Sequence, residues 1–128
     1  MTEITIREFC ETLYCSLTRG DAFTPRPEGD IAFVAYSVTD GVASRHRVQF
    51  AGVSDLAVRH DLSNDLWSDE DRIELSVIEV ERLLSGWRVW FNPWYLHEIE
   101  FHCARISLDD TKVSGTGRWL QDELPGMF

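Results

Sequence analysis

From Ile31 onward the apolar residues come in short runs of alternating character, each closed by a turn signal. This pattern restricts the fold to an antiparallel β core. Ile31 to Val38 is rich in Val, Phe, Tyr and Ala; Asp40-Gly41 supplies the positive-φ residues of a tight hairpin, and Val42 to Phe50 returns. Val53, Leu56 and Val58 then suggest a short strand beyond a bend or bulge at Ala51-Gly52. Ile73, Leu75 and Val77 give way to Ile78 and Val80 with a one-residue change of phase, which suits a bulged strand. A helix through Ile73, Val77, Val80 and Leu84 competes with it, but the β-branched residues favour the strand. Trp87 to Phe91, Leu96 to Leu108 and Lys112 to Leu120 complete the series, with Asn92-Pro93 and Asp109-Asp110 as turns.

Before this region the period is different. Ile6, Phe9, Cys10, Leu13, Tyr14 and Leu17 recur at three- and four-residue intervals, which predicts an amphipathic helix over residues 3–18, with Thr2 to cap it and Gly20 to end it. Pro25, Pro27 and Gly29 make residues 21–30 a loop. The expected fold is therefore mainly β (α+β): one domain over residues 1–128, its N-terminal helix followed by a β core over 31–120, an antiparallel β-sandwich or strongly curled sheet of six to seven strands.

The chain carries 22 acidic and 12 basic residues, a formal charge of -10. Such a field repels polyphosphates and opposes counterion release, so neither nucleic acid nor an anionic membrane is the expected partner. A basic protein is the natural complement. The excess lies in the second half, where seven acids fall between Asp65 and Glu81, and a solvated, solubilising face is the competing account of them. The three cysteines, Cys10, Cys15 and Cys103, follow no metal or disulfide spacing and read as small buried apolar residues of a reducing compartment. Met1-Thr2-Glu3-Ile4 has neither a basic start nor an apolar run of signal-peptide length, and no stretch of about 20 apolar residues occurs, so the expected location is cytoplasmic.

Catalytic signatures are weak. His97-Glu98-Ile99-Glu100-Phe101-His102 is the best metal or acid–base candidate, because strand alternation puts Glu98, Glu100 and His102 on one face; the same alternation turns His97 away. Its five-residue His interval is wrong for a helical zinc-protease motif. Asp61, Asn64, Asp65, Asp69, Glu70 and Asp71 are carboxylate-rich but lack the spacing of a calcium loop. No nucleophile elbow occurs, and Gly115-Thr116-Gly117 is too short for a phosphate cradle. No catalytic residue, cofactor or metal is expected.

Trp87, Trp90, Phe91, Trp94 and Tyr95 fall within nine residues, and a strand must send them to opposite sides. If Trp87, Val89 and Phe91 face inward, Arg88 and Trp90 face outward, and outward aromatics are enriched at protein interfaces. The segments His46 to Leu56 and Phe101 to Leu108 give the chain a strand, Gly-Val, Leu pattern. In that pattern it resembles small acidic bacterial β-rich proteins, some of them immunity proteins of polymorphic toxin systems. The resemblance transfers no catalytic residues. The acidic stretch and the outward aromatics together point to a non-enzymatic protein-binding module, with Asp65, Trp67, Asp69, Glu70, Asp71, Trp90 and Trp94 as the candidate contact residues, and the resemblance implies an immunity-type inhibitor of a basic partner. Two other functions compete: a small metal-dependent enzyme or ligand-binding domain centred on the His97–His102 strand, and a secretion-chaperone-like homodimer, which requires more helix.

Overall fold

The computed structural model describes residues 3–19, 22–60, 72–92 and 97–121. Twelve strands and one helix follow one another among them: β1 (Glu3–Thr5), α1 (Ile6–Leu13), β2 (Leu17–Arg19), β3 (Ile31–Thr39), β4 (Val42–Ala51), β5 (Ser54–His60), β6 (Arg72–Glu74), β7 (Ile78–Arg82), β8 (Trp87–Phe91), β9 (His97–Cys103), β10 (Arg105–Leu108), β11 (Thr111–Ser114) and β12 (Arg118–Gln121). The mainly β class with an N-terminal helix is as the sequence pattern predicts. The strands form a seven-stranded sheet, in the order β1-β11-β10-β4-β3-β2-β6, and a five-stranded sheet, β12-β7-β8-β9-β5. Among the described residues every pairing is antiparallel except β1 with β11.

The strand number exceeds the expected six to seven for a physical reason. Four stretches that read as nearly continuous in sequence cross from one sheet to the other: β4 to β5 at Gly52, β6 to β7 through residues 75–77, β9 to β10 at Ala104, and β11 to β12 across Gly115–Gly117. The bend at Ala51-Gly52 and the phase change between Val77 and Ile78 in the sequence are two of these corners. Two corners lie side by side, joined by the Ala104 N–H donating to the Ala51 carbonyl at 2.8 Å.

The helix is shorter than the expected residues 3–18. Thr5, not Thr2, is its cap: the Thr5 hydroxyl accepts the Glu8 N–H at 3.0 Å, and the Glu8 carboxylate accepts the Thr5 N–H at 3.3 Å, a reciprocal capping box. Residues before the cap are thereby free to extend, and Ile4 lies opposite Val113 in β1–β11. At the other end Cys15 adopts φ 63°, and its N–H donates to the Leu75 carbonyl at 3.0 Å, which removes the chain from the helix path. Leu17 then becomes a strand residue opposite Tyr36 and Glu74. Thr2 and Gly20 lie outside the described residues. Ile6, Phe9, Cys10 and Leu13 remain the buried helix face.

Asp40 and Gly41, at φ 53° and 77°, make the two-residue turn between β3 and β4, where both central positions must be left-handed. Phe50 of β4 lies at the centre of the core. Its ring lies 4.9 Å from Phe101 and 6.1 Å from Phe91 in the opposite sheet, and 6.2 Å from Phe9 of the helix. These edge-to-face contacts bind the two sheets and α1 into one cluster.

Candidate interaction face on the five-stranded sheet

Strand alternation sorts β8 as the sequence predicts: Trp87, Val89 and Phe91 are buried, while Arg88 and Trp90 emerge on the outer face. In β9 the buried residues are Ile99, Phe101 and Cys103, so Glu98, Glu100 and His102 share that outer face. Register brings Glu79, Trp90 and Glu100 into one row across β7, β8 and β9, with Glu81, Arg88 and His102 in the next. Trp90 is half-buried, and its indole N–H donates to the Glu98 carboxylate at 3.1 Å.

Around Arg88 the charges form a continuous ladder with one member from each of the five strands. Arg118 of β12 approaches Glu79 of β7 at 3.4 Å; Glu79 accepts directly from Arg88 of β8; the Arg88 Nε–H donates to Glu100 of β9 at 2.6 Å; and Arg59 of β5 reaches Glu100 at 3.5 Å. Arg88 also lies 4.0 Å from Glu81. Glu79 is only 8% exposed, so its charge relies on these two arginines rather than on water. The hydrogen bond from Arg88 holds the Glu100 carboxyl below its usual range against the opposing effect of burial, and the bond to Glu79 raises Arg88 further.

The ladder has a testable consequence. Arg88→Ala removes the main partner of a nearly buried carboxylate, and because Arg88 itself is 26% exposed the expected loss is below that of a fully buried pair, about 1–3 kcal/mol by urea denaturation. Glu100 also gives the loss a pH signature. Its carboxyl is lower in the folded state, so its contribution is present above the unfolded carboxylate pKa of about 4.3 and is lost as pH falls through the lower folded value. Arg88→Ala should therefore cost stability at pH 7 and flatten the decline of stability below pH 4.

Of the contact residues expected from sequence, Trp90 is on this face, and Asp65, Trp67, Asp69, Glu70, Asp71 and Trp94 lie outside the described residues. His60, which precedes residues 61–71, pairs with His97, which follows residues 93–96. The described part of the acidic stretch is not an uncompensated negative surface, since Glu79 and Glu81 are drawn into the ladder. Sequence reasoning missed Arg59 and Arg118 because their pairing depends on strand order, which no local pattern carries.

The His97–His102 strand has the alternation expected of it, but its outward groups are engaged elsewhere. Glu98 accepts from Trp90, Glu100 from Arg88 and Arg59, and His102 lies 3.3 Å from Asp55. Among the described residues no group of three or more His, Cys, Asp or Glu side chains is placed to hold a metal ion. Cys10 and Cys103 are buried as expected, and burial pushes both thiols up to about 12, with Glu11 and Glu79 adding to the effect at Cys10. Cys15 differs: it is exposed because its left-handed backbone takes it off the buried helix face. Among the described residues no helix is long and apolar enough to cross a membrane. No family model, no curated protein and no solved structure matches the chain.

Proposed function

We propose that the chain is a non-enzymatic protein-binding module that takes a basic partner protein through the outer face of the five-stranded sheet, in the manner of an immunity-type inhibitor. The observation that carries this reading is Trp90, a half-buried indole fixed by Glu98 at 3.1 Å beside the Arg88 ladder. Trp and Arg are the residues most enriched where interfaces concentrate their binding energy, and side chains already held in place lose little freedom on association. The net charge of -10 steers a basic protein toward the chain and repels acidic competitors.

The experiment is to recover a stoichiometric partner from native lysate at low salt, produce it separately, and titrate it with the wild-type chain and Trp90→Ala. Loss of a central tryptophan is expected to weaken binding by about 2 kcal/mol, roughly thirtyfold in Kd. A folded Trp90→Ala variant that binds as tightly as wild type contradicts the assignment of this face, and failure to recover any stoichiometric protein contradicts the function.

A further inference from the structure

We propose that Glu98 is the seat for one basic side chain of the partner, a lysine or arginine whose charged head takes its free oxygen while its methylenes cover the Trp90 indole. The inference rests on the proposed function and names the group that the five-stranded face receives. It follows from how the charges of that face are matched. Glu79 and Glu81 of β7 and Glu98 and Glu100 of β9 share the face with Arg59, Arg88 and Arg118, so carboxylates outnumber guanidinium groups by one. Arg118 and Arg88 both meet Glu79, Arg88 and Arg59 both meet Glu100, and Arg88 lies 4.0 Å from Glu81. Asp55 at the edge lies 3.3 Å from His102. Glu98 is the carboxylate left over among the described residues.

Register explains why the surplus falls there. Phe91 pairs with Ile99, so the residue of β8 level with Glu98 is Asn92, which carries no charge. On β7 the same level is Val77, buried and apolar, whose carbonyl accepts the Asn92 N–H at 3.0 Å. Arg59, which the register sets opposite Glu98, turns to Glu100 at 3.5 Å. Glu98 is nonetheless held in place, because one of its oxygens accepts the Trp90 N–H at 3.1 Å; its other oxygen has no donor among the described residues. Asn92 adds to the imbalance, since its side-chain oxygen is buried without a hydrogen-bond partner, the one such atom among the described residues. This level of the sheet is short of donors, which a cationic side chain brings.

A long basic side chain also suits the indole. Trp90 is only half-buried, and the methylenes of a lysine or arginine cover apolar surface while the head keeps its charge partner. Because Glu98 is already fixed by the indole, little further freedom is lost when the pair forms. A hard metal ion is the poorer occupant: it takes about six to eight oxygens, and Glu98 offers one that is free.

The test uses the full chain and a fluorescently labelled peptide, Ser-Ser-Leu-Lys-Leu-Ser-Ser, capped at both ends and followed by anisotropy. A second peptide carries acetyl-lysine at the centre, which keeps the stem and removes the charge. The lysine peptide is expected to bind saturably, and the acetylated one about tenfold or more weakly. Glu98→Gln is expected to weaken the lysine peptide by about tenfold, since its amide oxygen can still accept the indole N–H and only the charge is lost. Glu28→Gln removes one exposed charge in the loop before β3 and is expected to change affinity by no more than about twofold. If Glu98→Gln does not fold, as judged by circular dichroism, the acetyl-lysine comparison on the unaltered chain decides. The proposal is overturned by no saturable binding of the lysine peptide, by equal affinity for the acetylated one, or by a folded Glu98→Gln chain that binds as tightly as the unaltered one. The partner recovered from lysate separates the two readings. Affinity lost in Trp90→Ala but kept in Glu98→Gln overturns the Glu98 seat and leaves the face standing, whereas affinity kept in both overturns the face as well.

Discussion

Phe50→Ala should lower the unfolding free energy by about 3–5 kcal/mol, the largest loss expected from any single truncation in this fold. Phe50 is fully buried, and its ring meets Phe9 of the helix, Phe33 beside it, and Phe91 and Phe101 of the opposite sheet. Removing it opens a cavity where the helix and both sheets converge, and the paired strands on either side are held in place by their backbone hydrogen bonds. A domain of this kind is stable by only about 5–15 kcal/mol, so the variant should unfold at a much lower denaturant concentration with little change in slope. A loss below about 1 kcal/mol would mean that the two sheets do not share this centre.

Gly86→Ala should cost several kcal/mol, roughly 3 by adding a left-handed backbone penalty to a steric one. Gly86 closes the β7–β8 connection at φ 91°, and the Leu83 N–H donates to its carbonyl at 3.0 Å. A Cβ at this position would overlap the backbone carbonyl of Cys103, and backbone in a paired strand cannot swing aside as a flexible side chain would. Gly41→Ala is the informative comparison: its φ is 77° but nothing lies within 4 Å of the added Cβ, so only the conformational penalty applies. Thermal or urea denaturation of the pair should show Gly86→Ala clearly the more damaging. Equal losses would place the Cys103 carbonyl elsewhere.

Much of the fold was legible because its signals are local. The Asp40-Gly41 hairpin, the inward Trp87, Val89 and Phe91, and the shared face of Glu98, Glu100 and His102 all follow from turn chemistry or the two-residue period of a strand. The limits of the helix were not legible, because residues 3–18 keep a helical spacing while the Thr5 capping box and the Cys15–Leu75 bond end the helix at both sides. Nor was the passage of four runs from one sheet to the other, which leaves only a phase shift or a glycine in the sequence. The candidate face was half legible. Alternation brings Trp90 outward, but the matching of Glu79 with Arg118 and of Glu100 with Arg59 spans 39 and 41 positions of sequence and exists only because β12 and β5 flank the same sheet. An acidic stretch read on its own looks like free negative charge; in the folded sheet two of its residues, Glu79 and Glu81, are matched by Arg88 and Arg118.

That neutralisation sharpens what the five-stranded face can offer a partner. Its charges are fixed in position by one another, so contact there is expected to depend on shape and on the indole more than on bulk negative charge, while the remaining carboxylates of the chain govern the rate of approach. The most direct measurement is the Trp90 indole N–H signal in a ¹H–¹⁵N spectrum, assigned with Trp90→Phe, as the basic partner is added. A large shift or broadening of that signal, saturating with the partner, is the predicted result; a Trp90 signal unchanged at saturation while other parts of the chain respond would contradict it.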